Sequence, residues 1–217
     1  MKQKQINLSE IKNIIFDLGM VVVDLDQKAT EKAFKNLMGN QYHDLITDLN
    51  HQKFFENYET GKLSSREFIR QLGTKIGGPA IDQKIISAWN AMLGEIPESR
   101  FQILKWAKKN YRTFCLSNTN ELHISHLYNY LKKEKGIEDL EDYFEKVYLS
   151  HQIGMRKPEI EIFEFVLEQQ QLKAEETLFI DDTAGHLEGA KKVGIKTFHL
   201  HQDTSLEKLF QPYLPML

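Results

Sequence analysis

IIFDLG at residues 14–19 is a short apolar run that ends in a carboxylate and a glycine. Bulky apolar residues in a run of this length predict a buried strand with polar residues at its carboxyl end. Three later stretches repeat this arrangement: LSNT at 116–119, GMRKP at 154–158 and FIDD at 179–182. In open α/β sheets, ligands bind outside the carboxyl ends of the strands. We therefore expect these four polar clusters to form one pocket.

Apolar runs alternate with longer segments of helical periodicity along the chain. This alternation is typical of βαβ units on a parallel sheet, and it predicts a Rossmann-like α/β core. The predicted strands are residues 11–16, 112–116, 146–149, 177–180 and 196–200, and the predicted core helices include 98–110, 159–171 and 187–193.

The first crossover is too long for a simple connection, because about eighty residues separate the first strand from the helix that leads into the second. Most of this insert has helical periodicity, over residues 28–38, 41–59, 65–73 and 81–93. Ser64 followed by Glu67 fits a capping box at the start of the third helix. We predict two units, a core of residues 1–23 and 96–217 and a helical insert of residues 24–95, joined by hinges at 24–27 and 93–97.

Composition excludes several classes of function. The formal net charge is −3 and the basic residues are scattered, so no nucleic-acid surface is expected. The first ten residues are polar, and no apolar run approaches the ~20 residues of a membrane span, which predicts a cytoplasmic protein without a membrane partner. Cys115 is the single cysteine and lies in a predicted strand, so we expect a buried, inert thiol. The oligomeric state is left open.

Taken in order, the four motifs resemble those of the haloacid dehalogenase (HAD) superfamily, most of whose members are magnesium-dependent phosphatases with an aspartate nucleophile. The resemblance extends from Ile14 to about Leu200. Within the superfamily, the motifs are most similar to those of bacterial α-D-glucose-1-phosphate phosphatases. The resemblance implies a HAD-like core, and it implies that the helical insert is a cap over the active site.

The resemblance also implies a role for each acidic residue. Asp17 would be the nucleophile, although a strand-ending aspartate can also simply cap a turn. Mg²⁺ would be held by Asp17, by the Gly19 carbonyl and by Asp182, with Asp181 as an outer-sphere or second ligand. Two adjacent carboxylates repel each other unless a cation compensates, and Mg²⁺ prefers such oxygen ligands. The alternative for Asp181 and Asp182 is that they cap a helix.

Three further residues are expected to bind the phosphoryl group. Ser117 and Asn118 would offer a hydroxyl and a backbone amide, although both residue types also suit a helix cap. Lys157 would neutralise the phosphoryl group and Asp17, from the mouth of a helix whose first turn contains Pro158. We expect Arg156 to support this group.

Gly19 stands where the commonest superfamily pattern has a second aspartate, the group that protonates the leaving group. A glycine here suggests a positive φ, which would strain any replacement. Acid–base catalysis contributes ~10²–10⁴-fold, so another group has to be considered. The candidates are Asp24, Asp26, Glu59 and His51, each of which is also a plausible hinge or surface residue, and the role of His186 is left unassigned.

The sequence thus predicts a magnesium-dependent phosphatase of a small phosphorylated metabolite that acts through an aspartyl-phosphate, with sugar phosphates favoured by the resemblance. Two alternatives are kept. The first is a haloacid dehalogenase, which also uses an aspartate nucleophile but needs no Mg²⁺. The second is a catalytically weak protein that binds a phosphorylated ligand.

Overall fold

The structure is a computed structural model that describes residues 8–51, 53–77, 81–201 and 204–214, without the side chains of residues 40, 45, 50 and 51. Its centre is a five-stranded parallel sheet in the order β3-β2-β1-β4-β5. The strands are β1 (Asn13–Phe16), β2 (Arg112–Ser117), β3 (Lys146–Leu149), β4 (Thr177–Asp181) and β5 (Lys196–His199). All five predicted strands are present, so the predicted α/β class is confirmed.

The register brings the predicted motifs to one edge of the sheet. Phe16 at the end of β1 pairs with Cys115 on one side and with Ile180 on the other. Ser117 and Asp181 are each the last residue of their strand, not the first residue beyond it. Asp17, Ser117 and Asp181 therefore lie at the same carboxyl edge.

Alternation of side chains along β1 divides the core between the two faces of the sheet. Ile14 and Phe16 pack on one face with helices α6 (Glu98–Asn110), α7 (Glu121–Tyr130) and α11 (Leu206–Phe210). Ile15 packs on the other face with α9 (Ile160–Gln170) and α10 (Ala184–Lys192). A one-turn helix, α8 (Ser150–Ile153), follows β3. Cys115 is fully buried in the first face, and burial raises the pKa of its thiol, as expected for an inert thiol.

In its described residues, the insert forms five α-helices, α1 (Gln27–Met38), α2 (Tyr42–His51), α3 (Phe54–Glu59), α4 (Ser65–Ile76) and α5 (Ile81–Asn90). They enclose a hydrophobic cluster of their own, in which Phe68 stacks on Tyr58 and on Phe54 with ring centroids 4.1 and 5.1 Å apart. Ser64 caps α4 by accepting from the Glu67 amide, as predicted, but the Glu67 carboxylate binds Arg70 and Gln71 instead of completing the box.

Two local predictions were wrong. The single helix predicted over residues 41–59 is two helices, because Lys53 has a left-handed φ of 52° that ends the helical path. Pro158 is not in the first turn of a helix, since α9 begins at Ile160 with Glu159 as its N-cap. The helices α7 and α11 were not predicted.

The two predicted hinge segments pair with each other. Asp24 N donates to Glu95 O at 3.0 Å, Gly94 N donates to Asp24 O at 2.8 Å, and Asp26 N donates to Met92 O at 2.8 Å. Both connections between insert and core thus run side by side. Within the described part of the chain, no helix has the length and hydropathy needed to cross a membrane.

Candidate active site

A buried lysine joins two aspartates at the carboxyl edge of the sheet. Lys157 Nζ donates to Asp17 Oδ1 at 2.7 Å and to Asp181 Oδ2 at 2.8 Å. Lys157 and Asp181 are fully buried, and Asp17 is 7% exposed. Since an unpaired buried charge is costly, this ammonium and the two carboxylates depend on one another.

The electrostatic balance within this group differs for each residue. Burial raises the pKa of Asp17 to about 6, with Lys157 opposing the rise and Asp181 adding to it. Burial also opposes ionisation of Asp181, but hydrogen bonding to His186 and the charge of Lys157 bring its pKa down to about 2. For Lys157, burial favours the neutral amine, yet the two aspartates prevail and raise its pKa. The lysine is therefore held as a cation beside Asp17.

Asp17, Asp181 and Asp182 offer oxygens that all lie within 4.8 Å of one another. Asp181 is engaged on both oxygens, by Lys157, by the Thr183 amide at 2.7 Å and by the His186 ring at 3.0–3.1 Å. Asp182 is only partly buried, and its carboxylate has a single contact, with Thr183 Oγ1 at 3.4 Å, among the described residues. The donor set consists of hard oxygens, which fits Mg²⁺.

Gly19 lies on the loop after β1, but its φ is not positive, so that expectation was wrong. The next residue, Met20, has the positive φ, at 59°. A Cβ at Gly19 would instead lie 2.7 Å from Leu25 Cδ1. The space for a side chain at position 19 is thus limited by a leucine methyl group and not by the backbone conformation.

Ser117 and Asn118 have different surroundings. Ser117 is buried at the end of β2 and lines the cavity described below. The Asn118 side chain is bound to the Lys157 backbone, because its Nδ2 donates to Lys157 O at 2.8 Å and its Oδ1 accepts from Lys157 N at 2.9 Å. Asn118 thereby positions the lysine that binds both aspartates.

Arg156 faces the insert and not the buried lysine group. Its Nη2 donates to Glu59 Oε2 at 3.0 Å, and Glu56 lies 3.8 Å from its Nη1. Both glutamates belong to α3, so the arginine ties the loop before α9 to the insert. This ion pair joins residues 97 positions apart.

A cavity of about 300 Å³ separates the carboxyl edge of the sheet from the insert. Its lining includes the predicted residues Asp17, Gly19, Ser117, Asn118, Lys157 and Asp182, but neither the fully buried Asp181 nor Arg156. On the core side it is lined by Asp17, Gly19, Ser117, Asn118, Lys157, Asp182 and His186, and the insert contributes Gln27, Glu59, Trp89 and Met92.

The candidate replacements for the missing general acid differ in their contacts and in the cavity that they line. Asp24 forms an ion pair with Arg100 at 2.7 Å and lines a different cavity. Asp26 caps α1 by accepting from two backbone amides. Glu59 lines the cavity that contains Asp17. The side chain of His51 lies outside the described part of the structure.

A polar contact between insert and core was missed at the sequence level. Trp89 Nε1 donates to Asn120 Oδ1 at 3.2 Å, and the Trp89 ring stacks on His123 with centroids 5.0 Å apart. His123 Nε2 lies 3.1 Å from Trp89 O, and since a carbonyl only accepts, Nε2 carries the proton and Nδ1 accepts from Asn120. Burial lowers the pKa of His123 to about 4. The spacing of Asn120 and His123, that of an N-cap and its N3 residue, was the available signal.

The fold and the site together define a class of protein. Asp17 directly follows the central strand β1, Asp181 ends the neighbouring strand β4 with Asp182 next to it, and the buried Lys157 links Asp17 to Asp181 at the edge where an α/β sheet binds ligands. A parallel α/β fold with an acidic cluster that could hold a metal ion defines a Rossmann-like protein with a candidate metal-assisted active site. The haloacid dehalogenase-like hydrolase family matches residues 14–200, and the chain belongs to that family.

Proteins of similar sequence narrow the class of hydrolase to the phosphatases. The chain is 36% identical over 189 residues to D-ribitol-5-phosphate phosphatase of Bacteroides thetaiotaomicron, covering 87% of this chain and 91% of the relative. It is 29% identical over 203 residues to glyceraldehyde 3-phosphate phosphatase of Pyrococcus furiosus, covering 88% and 80%. A HAD family enzyme of Bacteroides thetaiotaomicron, solved with magnesium and inorganic phosphate, superposes with a TM-score of 0.80 at 33% identity, covering 92% and 99%.

These similarities confirm the predicted HAD-like fold and identify the chain as a HAD-type phosphatase of a small phosphorylated metabolite with Mg²⁺ as its cofactor. The phosphatase relatives named above act on other substrates than glucose 1-phosphate. The narrower resemblance to glucose-1-phosphate phosphatases is not confirmed.

Proposed function

We propose that the protein hydrolyses a phosphorylated sugar or sugar alcohol through an aspartyl-phosphate on Asp17. The observation that carries this proposal is the contact of Lys157 with both Asp17 and Asp181 beside a cavity that the core and the insert line together. A carboxylate held beside a fixed cation, at the edge of a cavity of about 300 Å³, suits attack on a small phosphate monoester.

Each of these residues would have a separate role in the reaction. Asp17 attacks phosphorus, Lys157 offsets negative charge on the phosphoryl oxygens, and Ser117 donates its hydroxyl to one of them. Asn118 holds the Lys157 backbone in place. Mg²⁺ would be held by Asp17, by the Gly19 carbonyl and by Asp182, with Asp181 as an outer-sphere partner, and it supplies charge neutralisation and orientation when bound.

Occupancy of the carboxylates supports this order of ligands. The Asp181 oxygens are already occupied by Lys157, His186 and the Thr183 amide, whereas Asp182 has only one long contact among the described residues. The paired carboxylates also argue against the dehalogenase alternative, which has no use for a metal site. His186 would position Asp181, because its Nδ1 lies within hydrogen-bonding distance of both oxygens of that carboxylate.

The substrate class is proposed from the cavity and from the relatives. Polar side chains from the insert, including Gln27 and Glu59, line the cavity opposite the aspartates and suit the hydroxyl groups of a polyol. The two phosphatases named above act on a sugar-alcohol phosphate and a triose phosphate. We include glucose 1-phosphate as the narrower prediction from the motifs.

We also propose that residues 24–95 act as a cap over the core of residues 1–23 and 96–217, where residues 1–7, 52, 78–80, 202–203 and 215–217 lie outside the described structure. The separate hydrophobic cluster of the insert and the paired connections at Asp24 and Gly94 support this division. The proposed cytoplasmic location rests on the sequence alone.

Hydrolysis of p-nitrophenyl phosphate with Mg²⁺ and after chelation tests the activity. D-ribitol 5-phosphate, glyceraldehyde 3-phosphate and glucose 1-phosphate then test the substrate class. We expect magnesium-dependent release of phosphate and a preference for one phosphorylated polyol or sugar. Chloride release from 2-chloropropionate without Mg²⁺ would support the dehalogenase instead, and tight phosphate binding without turnover would support a binding protein.

A further inference from the structure

The proposed reaction requires an acid that the loop after β1 does not provide. Gly19 has no side chain to protonate the leaving oxygen, although an alkoxide is a poor leaving group. In phosphoryl transfer the attacking and leaving oxygens lie roughly in line. Since Asp17 stands at the edge of the sheet, the leaving oxygen points away from the core and toward the insert.

Several proton-carrying side chains that line the cavity are already committed. Lys157 binds two aspartates. Both ring nitrogens of His123 are engaged, by Asn120 and by Trp89 O. His186 binds Asp181 through Nδ1 from the first turn of α10, so its ring lies on the core side with Asp17 and not on the insert. Asp182 belongs to the metal site. Glu59 is the carboxylate that the insert contributes to this cavity, among the described residues.

Glu59 is held in a defined position by both its backbone and its side chain. It is the last residue of α3, and its carbonyl accepts from Ser150 Oγ at 2.6 Å. Two residues later, Gly61 packs so closely on the core that a Cβ there would lie 2.2 Å from His151 O. The end of α3 is therefore docked against the core beside the cavity.

The two carboxylate oxygens of Glu59 have different surroundings. Oε2 accepts from Arg156 Nη2 at 3.0 Å, and Oε1 has no hydrogen-bond donor among the described residues. Burial raises the pKa of Glu59, against the opposing effect of Arg156. The arginine orients the carboxyl group, and partial burial helps it to keep a proton on the other oxygen.

We propose that Glu59 is the general acid and base of this enzyme, acting from the cap in place of the carboxylate that is absent at Gly19. This inference rests on the proposed phosphatase function. In this role the Glu59 carboxyl group would contact the leaving oxygen of a substrate bound in the cavity.

The two steps balance as follows. Asp17 forms a bond to phosphorus while the bond from phosphorus to the leaving oxygen breaks. The electron pair of that bond stays on the leaving oxygen, which takes the proton of Glu59 and departs as an alcohol. Glu59, now a carboxylate, accepts a proton from water, and the resulting hydroxide attacks phosphorus. The bond from phosphorus to Asp17 breaks with its electron pair remaining on Asp17, which releases inorganic phosphate and restores the Asp17 carboxylate and the protonated Glu59.

Dependence on the leaving group tests this role in Glu59→Gln. Glutamine keeps an oxygen for Arg156 but cannot donate an acidic proton. We compare kcat/KM, which reports the first chemical step, for glycerol 3-phosphate and p-nitrophenyl phosphate with saturating Mg²⁺. We expect a fall of ~10²–10⁴-fold for the alkyl phosphate and little change for the aryl phosphate, whose leaving group needs little protonation. A burst of p-nitrophenol would further show that water activation has become slow.

Glu56→Gln is the matched control, because Glu56 lies on the same helix and faces the same arginine at 3.8 Å but does not line the cavity. Glu56→Gln should leave kcat/KM unchanged for both substrates. Equal loss on both substrates in Glu59→Gln, or no loss on either, would overturn the proposal while the phosphatase function stands. If the wild-type protein hydrolyses neither substrate, the proposed function itself fails.

Discussion

Replacing Gly19 by aspartate places a carboxylate two residues after Asp17. The surroundings of Gly19 indicate how much this substitution would destabilise the folded protein. The backbone at Gly19 does not have a positive φ, so no strain of that kind arises. The new Cβ would lie 2.7 Å from Leu25 Cδ1 and 3.6 Å from its Cγ. The methyl group must move by about 1 Å, and an off-rotamer side chain costs about 0.5–1.5 kcal/mol. We expect urea denaturation to show a destabilisation of about 1 kcal/mol.

The activity of Gly19→Asp distinguishes an enzyme that lacks an acid from one that has it elsewhere. If Glu59 supplies the proton, Gly19→Asp alone should leave the ratio of kcat/KM for glycerol 3-phosphate to that for p-nitrophenyl phosphate nearly unchanged. In the Glu59→Gln background, Gly19→Asp should raise kcat/KM for glycerol 3-phosphate at least about tenfold, since acid catalysis contributes ~10²–10⁴-fold.

The assay is phosphate release from both substrates at saturating Mg²⁺, for the wild type, the two single variants and the double variant. A rise of ~10²-fold in the ratio for Gly19→Asp alone would mean that the native enzyme has no acid. That result would refute the reasoning about Glu59. Loss of Mg²⁺ dependence in the variant would indicate a damaged metal site and is checked in parallel.

Asp17→Asn should abolish turnover without unfolding the protein, because an amide is a poor nucleophile and a poor Mg²⁺ ligand; full activity would contradict the mechanism. Asp182→Asn should raise the Mg²⁺ concentration for half-maximal activity more than Asp181→Asn does, since Asp181 is already occupied by Lys157 and His186, and equal shifts would refute that order. Burial lowers the pKa of His123 from 6.5 to about 4, so the stability it contributes is present above pH 6.5 and is lost as the pH falls toward 4. Urea denaturation at pH 7.5 and 4.5 should show a pH-dependent loss that is smaller by roughly 2–3 kcal/mol in His123→Gln, and an equal loss would contradict it.

The sequence by itself determined the sheet and predicted the edge of it at which the candidate site lies. Short apolar runs such as residues 14–16 and 177–180 favour buried central strands when longer helical segments alternate with them, and their polar neighbours then fall at one carboxyl edge. For this reason Asp17, Ser117 and Asp181 could be assigned to a common site before any contact was known. The break between α2 and α3 was missed, because the left-handed Lys53 carries no glycine signal.

Only the tertiary structure decided how the site residues act on one another. Asn118 binds the Lys157 backbone across 39 positions, and Arg156 binds Glu59 across 97. Asp181 is occupied by Lys157 and His186, whereas Asp182 has one long hydrogen bond to another described residue and is the more open of this adjacent pair. Such contacts depend on how the insert packs on the core and on which oxygen each donor reaches. Local periodicity carries no information about either, because hydrogen bonds between distant residues are selected by three-dimensional packing.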